Sequence, residues 1–473
     1  MYKINEPTKE IAAWHDRWKR NRDFVEGEAA VKKAGEKYLP KARVDDSQAE
    51  YEAHKQRTGF FPASYKIVQG WNGLIFRKAA KRNIASARVQ LLSNVVTRDN
   101  RSMDAVSQFV TKETMITNFT VSLTDHPSRD QFPETMSVAQ ELRLGYRPYE
   151  ALYVGESILE VTQGIIDETR VGFTHLRFLE NDRTRVRQCL INDAGFYEVR
   201  IHDQVEGGDF VETSRVVPTL DGKPLTEIPA TVINTDDSIV PTASMIQHVV
   251  DLNLQHYINE GSLAAAIHLT SAPIAITTGY TPEIDPATNK PKEVNFPIAP
   301  GAHWMFAAAG GTGENQVDTK WFTYDPKGQE LVTNKLRDLK DALSAIGHSI
   351  LAPEKPAPEA AETQLIRRAA ENAMLADFTN KVGAQIEKVW QRFALWADPK
   401  NPSLTYELNV DFLPQVMDAQ RGTFLSTLVE KRQLSQQTFH EALEEGEIMP
   451  HGFDPKQEAA RIEQETVDRP PLL

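Results

Sequence analysis

The chain has 473 residues, 53 Lys plus Arg against 66 Asp plus Glu, a formal net charge of −13 and an apolar fraction of 40%. Near-average Gly and Pro exclude a collagen-like or low-complexity chain; the single cysteine, Cys189, excludes an internal disulfide and fits a reducing compartment. The charge is uneven: residues 1–100 hold 20 basic and 12 acidic side chains, a net of +8, while the rest hold 33 and 54, a net of −21. An acidic body repels nucleic acid, so composition by itself argues against a DNA-wrapping protein.

The first 60 residues are polar and helix-biased, with Trp14 and Trp18 at helical spacing and no apolar h-region of a signal peptide. GEKYLPK (35–41) reads as a turn. The aromatic-rich stretch FFPASYKIVQGWNGLIFRKAAKR closes in Arg77, Lys78, Lys81 and Arg82. At i, i+1, i+4 and i+5 these four are predicted to share one helix face, as a basic contact surface, a solvated face or a subunit contact.

Residues 147–235 are predicted to be β structure, from ALYVGESILEV, TRVRQCLI and FYEVRIHD with turn signals at 192–195 and 221–222. Arg183, Arg185 and Arg187 alternate at period 2 and so point to one side of a strand, to meet phosphate or to pair with acids on neighbouring strands. After Pro241 and Thr242 comes a strongly apolar helix, TASMIQHVVDLNLQHYINEG, expected to stop at Gly261.

Two long uncharged stretches follow, Gly261–Pro282 and Val294–Gly313, both too broken by Pro, Gly, His and Thr to span a membrane. They read as two strand-like arms joined by a Pro-rich connection, an incomplete β module that needs neighbouring copies to finish its pairing. From Gln329, Val332, Leu336, Leu339, Leu343, Ile346 and Ile350 form a heptad seam, the mark of a helix packed along another. After the Pro-rich bend 351–362, a helical pattern runs from Thr363 to Trp396, about 50 Å at 1.5 Å per residue, with a bend expected at Gly383. TYELNVDF (405–412) is a strand candidate, and Asp418–Lys431 and Gln436–Glu445 are short helical patterns.

No catalytic constellation stands out. The loop AAAGGTGENQ (307–316) lacks the Lys-Ser/Thr of a P-loop, His248 and His256 lie eight apart, and there is no H-E-x-x-H or G-x-S-x-G. Asp236 and Asp237 precede a helix and are expected to favour its N-terminus or form a turn rather than hold a metal. Cys189, with arginines nearby that could lower its pKa, is expected to be a packed strand residue. No catalytic residue, metal site or cofactor is predicted, and a chain of this length without an active-site motif is expected to be structural.

The order of elements resembles the portal proteins of tailed bacteriophages, specifically a portal-like family catalogued as a domain of unknown function. The resemblance rests on GEKYLPK (35–41), FFPASYKIVQGWNGLIFRK (60–78), RPYEALYVGESI (147–158), GKPLTEIPATVINTDD (222–237), DLNLQHYINEGSL (251–263), APGAHWMFAAAGG (299–311), TQLIRRAAENAML (363–375) and FDPKQEAARIEQE (453–465). It covers almost the whole chain, least over 83–146. It implies an α+β, ring-forming portal fold with a mixed α/β wing (1–240), a first stem helix (241–269) and a small β clip (270–327). A second stem helix (328–350), a tunnel loop (351–362), a long support helix with wing return (363–411) and a helical crown (412–473) complete it.

It further implies a homo-oligomer, usually a dodecamer, at the capsid vertex of a virion made in the host bacterial cytoplasm, with no membrane. Double-stranded DNA would pass through the channel; terminase large subunit, head–tail connector or adaptor, major capsid and scaffolding proteins would be partners. Lys355, the one basic residue of 351–362 among Glu354, Glu359 and Glu362, is the expected channel contact to DNA, or else pairs with those acids. For such a channel the acid excess argues against a sticky DNA partner, not against any DNA partner. The alternatives are a phosphate- or nucleotide-acting enzyme using Asp236, Asp237 and the 310–313 glycines, and a head–tail adaptor or minor capsid protein.

Overall fold

The computed structural model describes residues 3–128, 132–133, 135–166, 170–220, 222–280, 284–287, 301–307, 317–323, 327–347, 361–412, 419–445 and 455–468. The fold is α+β and divides into two compact units, Met1–Leu408 and Asn409–Leu473.

The first unit opens with α1 (Lys9–Glu26), which buries Ile11, Trp18, Phe24 and Val25 along one stripe and ends at Gly27, φ 100°. That positive φ suits glycine and turns the chain into α2 (Glu28–Ala34). A 3₁₀ turn, Gly35–Lys37, follows, so 35–41 does turn. Ser47 starts α3 (Gln48–Arg57) with a reciprocal capping box to Glu50. The apolar face of α4 (Ala63–Ile75) buries Ile67, Val68, Trp71 and Ile75. Serine caps then begin α5 (Ala87–Leu92), α6 (Met103–Thr117) and α7 (Val138–Leu144).

The four basic residues after α4 do not share a helix face. The helix ends at Ile75, and Lys81 and Arg82 belong to strand β1 (Lys81–Ile84), which pairs antiparallel with β15 (Leu404–Glu407). The partner strand lies more than 300 residues away, and its open ladder overrides the local helical spacing.

Around β2 (Thr120–Asp125) a three-stranded antiparallel sheet forms in the order β11 (Ala230–Ile233), β2, β3 (Tyr149–Tyr153). A five-stranded antiparallel meander follows: β4 (Ile158–Ile165), β5 (Val171–Glu180), β6 (Arg185–Ile191), β7 (Tyr197–Gln204) and β8 (Phe210–Val216), and then a short antiparallel pair, β9 (Thr219–Leu220) and β10 (Lys223–Pro224). The expected turn at 192–195 joins β6 to β7, with Asn192 Oδ1 accepting from the Ala194 and Phe196 N–H groups and Gly195 at φ 79°. One core joins these pieces: Trp18, Phe119, Val121, Ile158, Leu176, Phe178, Cys189 and Tyr197 are all buried in it. Trp18 lies on Phe119 with centroids 5.9 Å apart and donates its Nε1–H to the Thr117 carbonyl at 2.8 Å.

A single helix, α8 (Gln247–Thr270), spans the expected stop at Gly261. Glycine here serves packing: a Cβ would fall 2.5 Å from Leu39 Cδ1 and 3.5 Å from the His54 ring. Antiparallel to α8 runs α9 (Lys327–Ile346). Gln329 donates to Thr270 at 2.5 Å at one end, and Lys340 sits over Phe61, itself against His256, at the other. The centre of the heptad seam is buried at Leu336, Leu339 and Leu343, with α8 of the same chain as its partner; Val332 and Ile346 are half-buried, and Ile350 lies outside the described residues.

The 37-residue helix α10 (Ala361–Ala397) runs about 55 Å at 1.5 Å per residue. It buries Leu375, Phe378, Val382, Ile386, Val389, Trp390 and Phe393, and packs on β11, β2, β15, α5 and α6. Gly383 packs on Leu408. The predicted strand at 405–412 is realised only as β15, Leu404–Glu407. In the second unit, α11 (Ala419–Glu430) and α12 (Gln436–Glu445) meet the sequence expectation, and α13 (Pro455–Asp468) adds a helix.

Candidate functional site

Between α8 and α9 the chain forms a small sheet. Its centre is β12 (Ile274–Tyr280), with β13 (His303–Ala307) parallel on one side and β14 (Asp318–Phe322) antiparallel on the other. Sequence reading found two arms and missed β14, whose five residues, DTKWF, lack any apolar alternation. On one face Thr277 Oγ1 bridges His303 Nε2 at 2.7 Å and Thr319 Oγ1 at 2.9 Å. All of β14 is exposed, with Trp321 at 69% and Phe322 at 47% of full accessibility. Val317, Ile267 of α8 and Leu331 of α9 add further exposed apolar surface. A cleft of about 410 Å³ between the helices is lined by Leu263, Ile267, Gln329, Thr333 and Arg337. A sheet of three short strands with Trp321 largely exposed is poorly stabilised alone.

Lys355 and the 310–313 glycines lie outside the described residues, as does 351–360 of the proposed loop. Of the basic cluster, Arg77 and Lys78 follow α4, Lys81 stands opposite Glu407, and Arg82 pairs with Asp104 at 3.2 Å. Two of the three alternating arginines take the pairing option. Arg185 binds Asp203 on the neighbouring strand at 2.6 Å, and Arg187 joins Asp125 at 2.7 Å and Glu180 at 2.8 Å. Arg183 sits in the β5–β6 turn at φ 70°, off the strand.

Cys189 is buried, and burial pushes its thiol up to about 12 despite the opposing pull of Arg187. Cys189 is thus the packed strand residue that the sequence suggested, and desolvation of the thiolate outweighs the nearby arginine charge.

Asp236 and Asp237 do not reach the α8 N-terminus, which begins at Gln247. They organise the turn before it. Asp236 accepts from Thr242, Asp237 (φ 50°) accepts from Gln385 Nε2 at 2.7 Å, and the Asn234 N–H donates to Gln385 Oε1 at 2.7 Å. Gln385 thus ties the turn to α10. Among the described residues no cluster of three His, Cys, Asp or Glu could hold a metal, and no helix is long and apolar enough to cross a membrane. His256 packs against Phe61, with burial lowering its pKa.

Residues 246–397, which contain α8, the small sheet, α9 and α10, match the family model described as a domain of unknown function, DUF4055. No curated protein matches the chain. Among solved structures it is similar to a chain in the neck of an empty GTA particle, at 11% identity over 80% of this chain and 89% of that one, TM-score 0.38. It is also similar to a chain in the virion of a native gene transfer agent particle, at 12% identity over 89% of this chain and 98% of that one, TM-score 0.38.

Proposed function

We propose that this chain is the portal protein of a tailed phage or phage-like particle, a ring subunit at the capsid vertex through which double-stranded DNA is packaged and ejected. The observation that carries the reading is one segment: two antiparallel helices, α8 and α9, bracket a small sheet with exposed aromatics and are followed by the 37-residue α10. That order matches what the sequence resemblance implies for a stem, a clip, a second stem helix and a support helix. In this reading 1–240 is the wing, 270–327 the clip, 351–362 the tunnel loop and 412–473 the crown.

The ring is a passive conduit. A separate terminase ATPase drives the duplex and docks on the clip, which later receives the head–tail connector; capsid and scaffolding proteins meet the outer parts. An acidic chain suits this role, since tight phosphate binding would stall translocation and screening over about 8–10 Å keeps the repulsion short-ranged. Lys355 is the proposed phosphate contact, and Arg77, Lys78, Lys81 and Arg82 are proposed outer basic contacts.

Negative-stain imaging of the purified protein tests the reading. Rings with a central hole of duplex width are expected, and compact monomers at assembly concentrations would overturn it. Lys355→Ala is expected to lower packaging efficiency with ring assembly intact, and unchanged packaging removes Lys355 from the mechanism.

A further inference from the structure

A cavity of about 550 Å³ lies where the three-stranded sheet meets β5 and β6, away from the α8–α9 segment. Its floor is strand β3 and the next residue: six consecutive positions, 149–154, line it. Consecutive residues line a cavity when it runs along a strand's edge instead of over one face, because side chains alternate between faces. The sheet order agrees, with β3 at the edge beside β2.

The backbone on that edge is partly open. Glu150 donates its N–H away from β2, to the Val96 carbonyl at 2.8 Å. Antiparallel pairing alternates inward and outward groups, so the N–H and C=O of Leu152 also face away from β2. No backbone partner meets Leu152 on that side among the described residues.

One wall is a loop that is held far more firmly than an idle surface turn. Buried Arg147 donates to the Val95 carbonyl at 2.9 Å, the Thr97 carbonyl at 3.0 Å and Asn100 Oδ1 at 2.8 Å. Within the loop, Arg101 N–H donates to Thr97 Oγ1 at 2.9 Å, and Val96 N–H to the Arg101 carbonyl at 2.8 Å. This frame presents two exposed guanidinium groups at the cavity. Arg98 lies 4.3 Å from the Tyr149 ring centroid and Arg101 5.3 Å from that of Phe109. Arg101 gives its Nε–H to Asp99 at 2.7 Å, while Arg98 has no carboxylate partner among the described residues. The deeper Arg187 is occupied by Asp125 and Glu180, and Arg185 by Asp203.

We infer that this groove docks an extended acidic segment of a partner protein, which adds as a strand at Leu152 and lays its carboxylates on Arg98 and Arg101. Main-chain bonds to an open edge supply affinity, and side chains flanking the edge supply selection. Acidic residues are selected because the cationic donors at the mouth are arginines and the carboxylates there are already engaged. A single-charge carboxylate suits one open cation beside Asp99 and Glu180 better than a dianion does. The site sits within one subunit and does not depend on ring formation.

The test uses full-length protein and three capped, labelled hexapeptides: Glu-Val-Glu-Val-Glu-Val, its Lys-Val counterpart, and Glu-Pro-Glu-Pro-Glu-Pro. The Glu-Val peptide is expected to bind saturably, more weakly in high salt, and to slow amide exchange at Leu152. Arg98→Ala/Arg101→Ala is expected to reduce its affinity at least tenfold, whereas Arg215→Ala/Lys320→Ala, which removes two cations outside the cavity, leaves it unchanged. Arg98→Gln alone, at an exposed position without an ion pair, serves if the double variant loses structure, with a several-fold loss expected. Absence of saturable binding, equal affinity of the double variant, or equal binding of the Pro peptide (which lacks alternate N–H donors) would overturn the inference. So would displacement of the peptide by duplex DNA whose own affinity depends on Arg98, since the groove would then be a nucleic-acid site.

Discussion

The sheets β4–β8 and β12–β14 both end on exposed strands, yet they solve the edge problem in opposite ways. β8 carries Glu212 and Arg215, paired with each other at 2.9 Å, and its neighbours β4–β7 bury Ile158, Leu176, Phe178, Cys189 and Tyr197 under Trp18 and Phe119. Charged side chains on an edge discourage further pairing, and a core beneath makes further pairing unnecessary. β14 instead exposes Trp321 and Phe322, at a sheet that buries Ile274 and Thr277 among its described residues. Apolar area left in water at an edge is stabilised when another chain covers it. The contrast is therefore one of foundation: the first sheet rests on a shared buried core, although Val211 and Val216 of β8 are also exposed, whereas the second presents aromatic side chains on its edge strand.

The sharpest way to break the comparison is Trp18→Ala. It removes a fully buried ring and the Nε1–H bond to Thr117, and should cost about 3–5 kcal/mol in urea unfolding of the first unit. A loss under 1 kcal/mol would mean that the β4–β8 core does not hold itself together.

Acid should act on the same sheet. Glu160 is held at about 2 by His175 and Arg177, below its ordinary 4.5. A depressed carboxylate stabilises the fold above its unfolded value, so this contribution is complete above pH 4.5 and fades as pH falls towards about 2. At about 1.4 kcal/mol per unit the loss approaches about 3 kcal/mol. Glu160→Gln should flatten that part of the stability–pH curve, and an unchanged curve would remove Glu160 as its cause.

Gly261→Val tests the crossing of α8 with Leu39 and His54. Overpacking there should cost about 1–3 kcal/mol, read as a lower urea midpoint. The smallest effect on folding belongs to Trp321→Ala, which should move the unfolding free energy by less than about 0.5 kcal/mol. Under the ring proposal, the same variant should clearly lower the fraction of assembled rings on sizing. A large folding effect with unchanged assembly would reverse the comparison.

Much of the fold was legible in the sequence. The α1 stripe, the β meander with its 192–195 turn, the α9 heptad seam and the long α10 all follow from periodicity and turn chemistry, which act over a few residues. The misreadings share one cause. Lys81 and Arg82 became a strand because β15 offers a ladder; Gly261 stayed helical because Leu39 and His54 press on it. The edge groove with Arg98 and Arg101 left no motif, since its parts come from the 95–101 loop and β3.

By itself, then, the sequence determined that helices and strands mix, that a β-rich region precedes an apolar helix, a seam helix and a long helix, and that no local catalytic motif is present, because each is written in short-range pattern. Only the tertiary structure decided which arginines are spent on ion pairs and which remain open. It also decided which sheet owns a core and which glycine marks a contact instead of an end. Those outcomes depend on desolvation and on pairing between segments hundreds of residues apart, and neither can be read from local spacing.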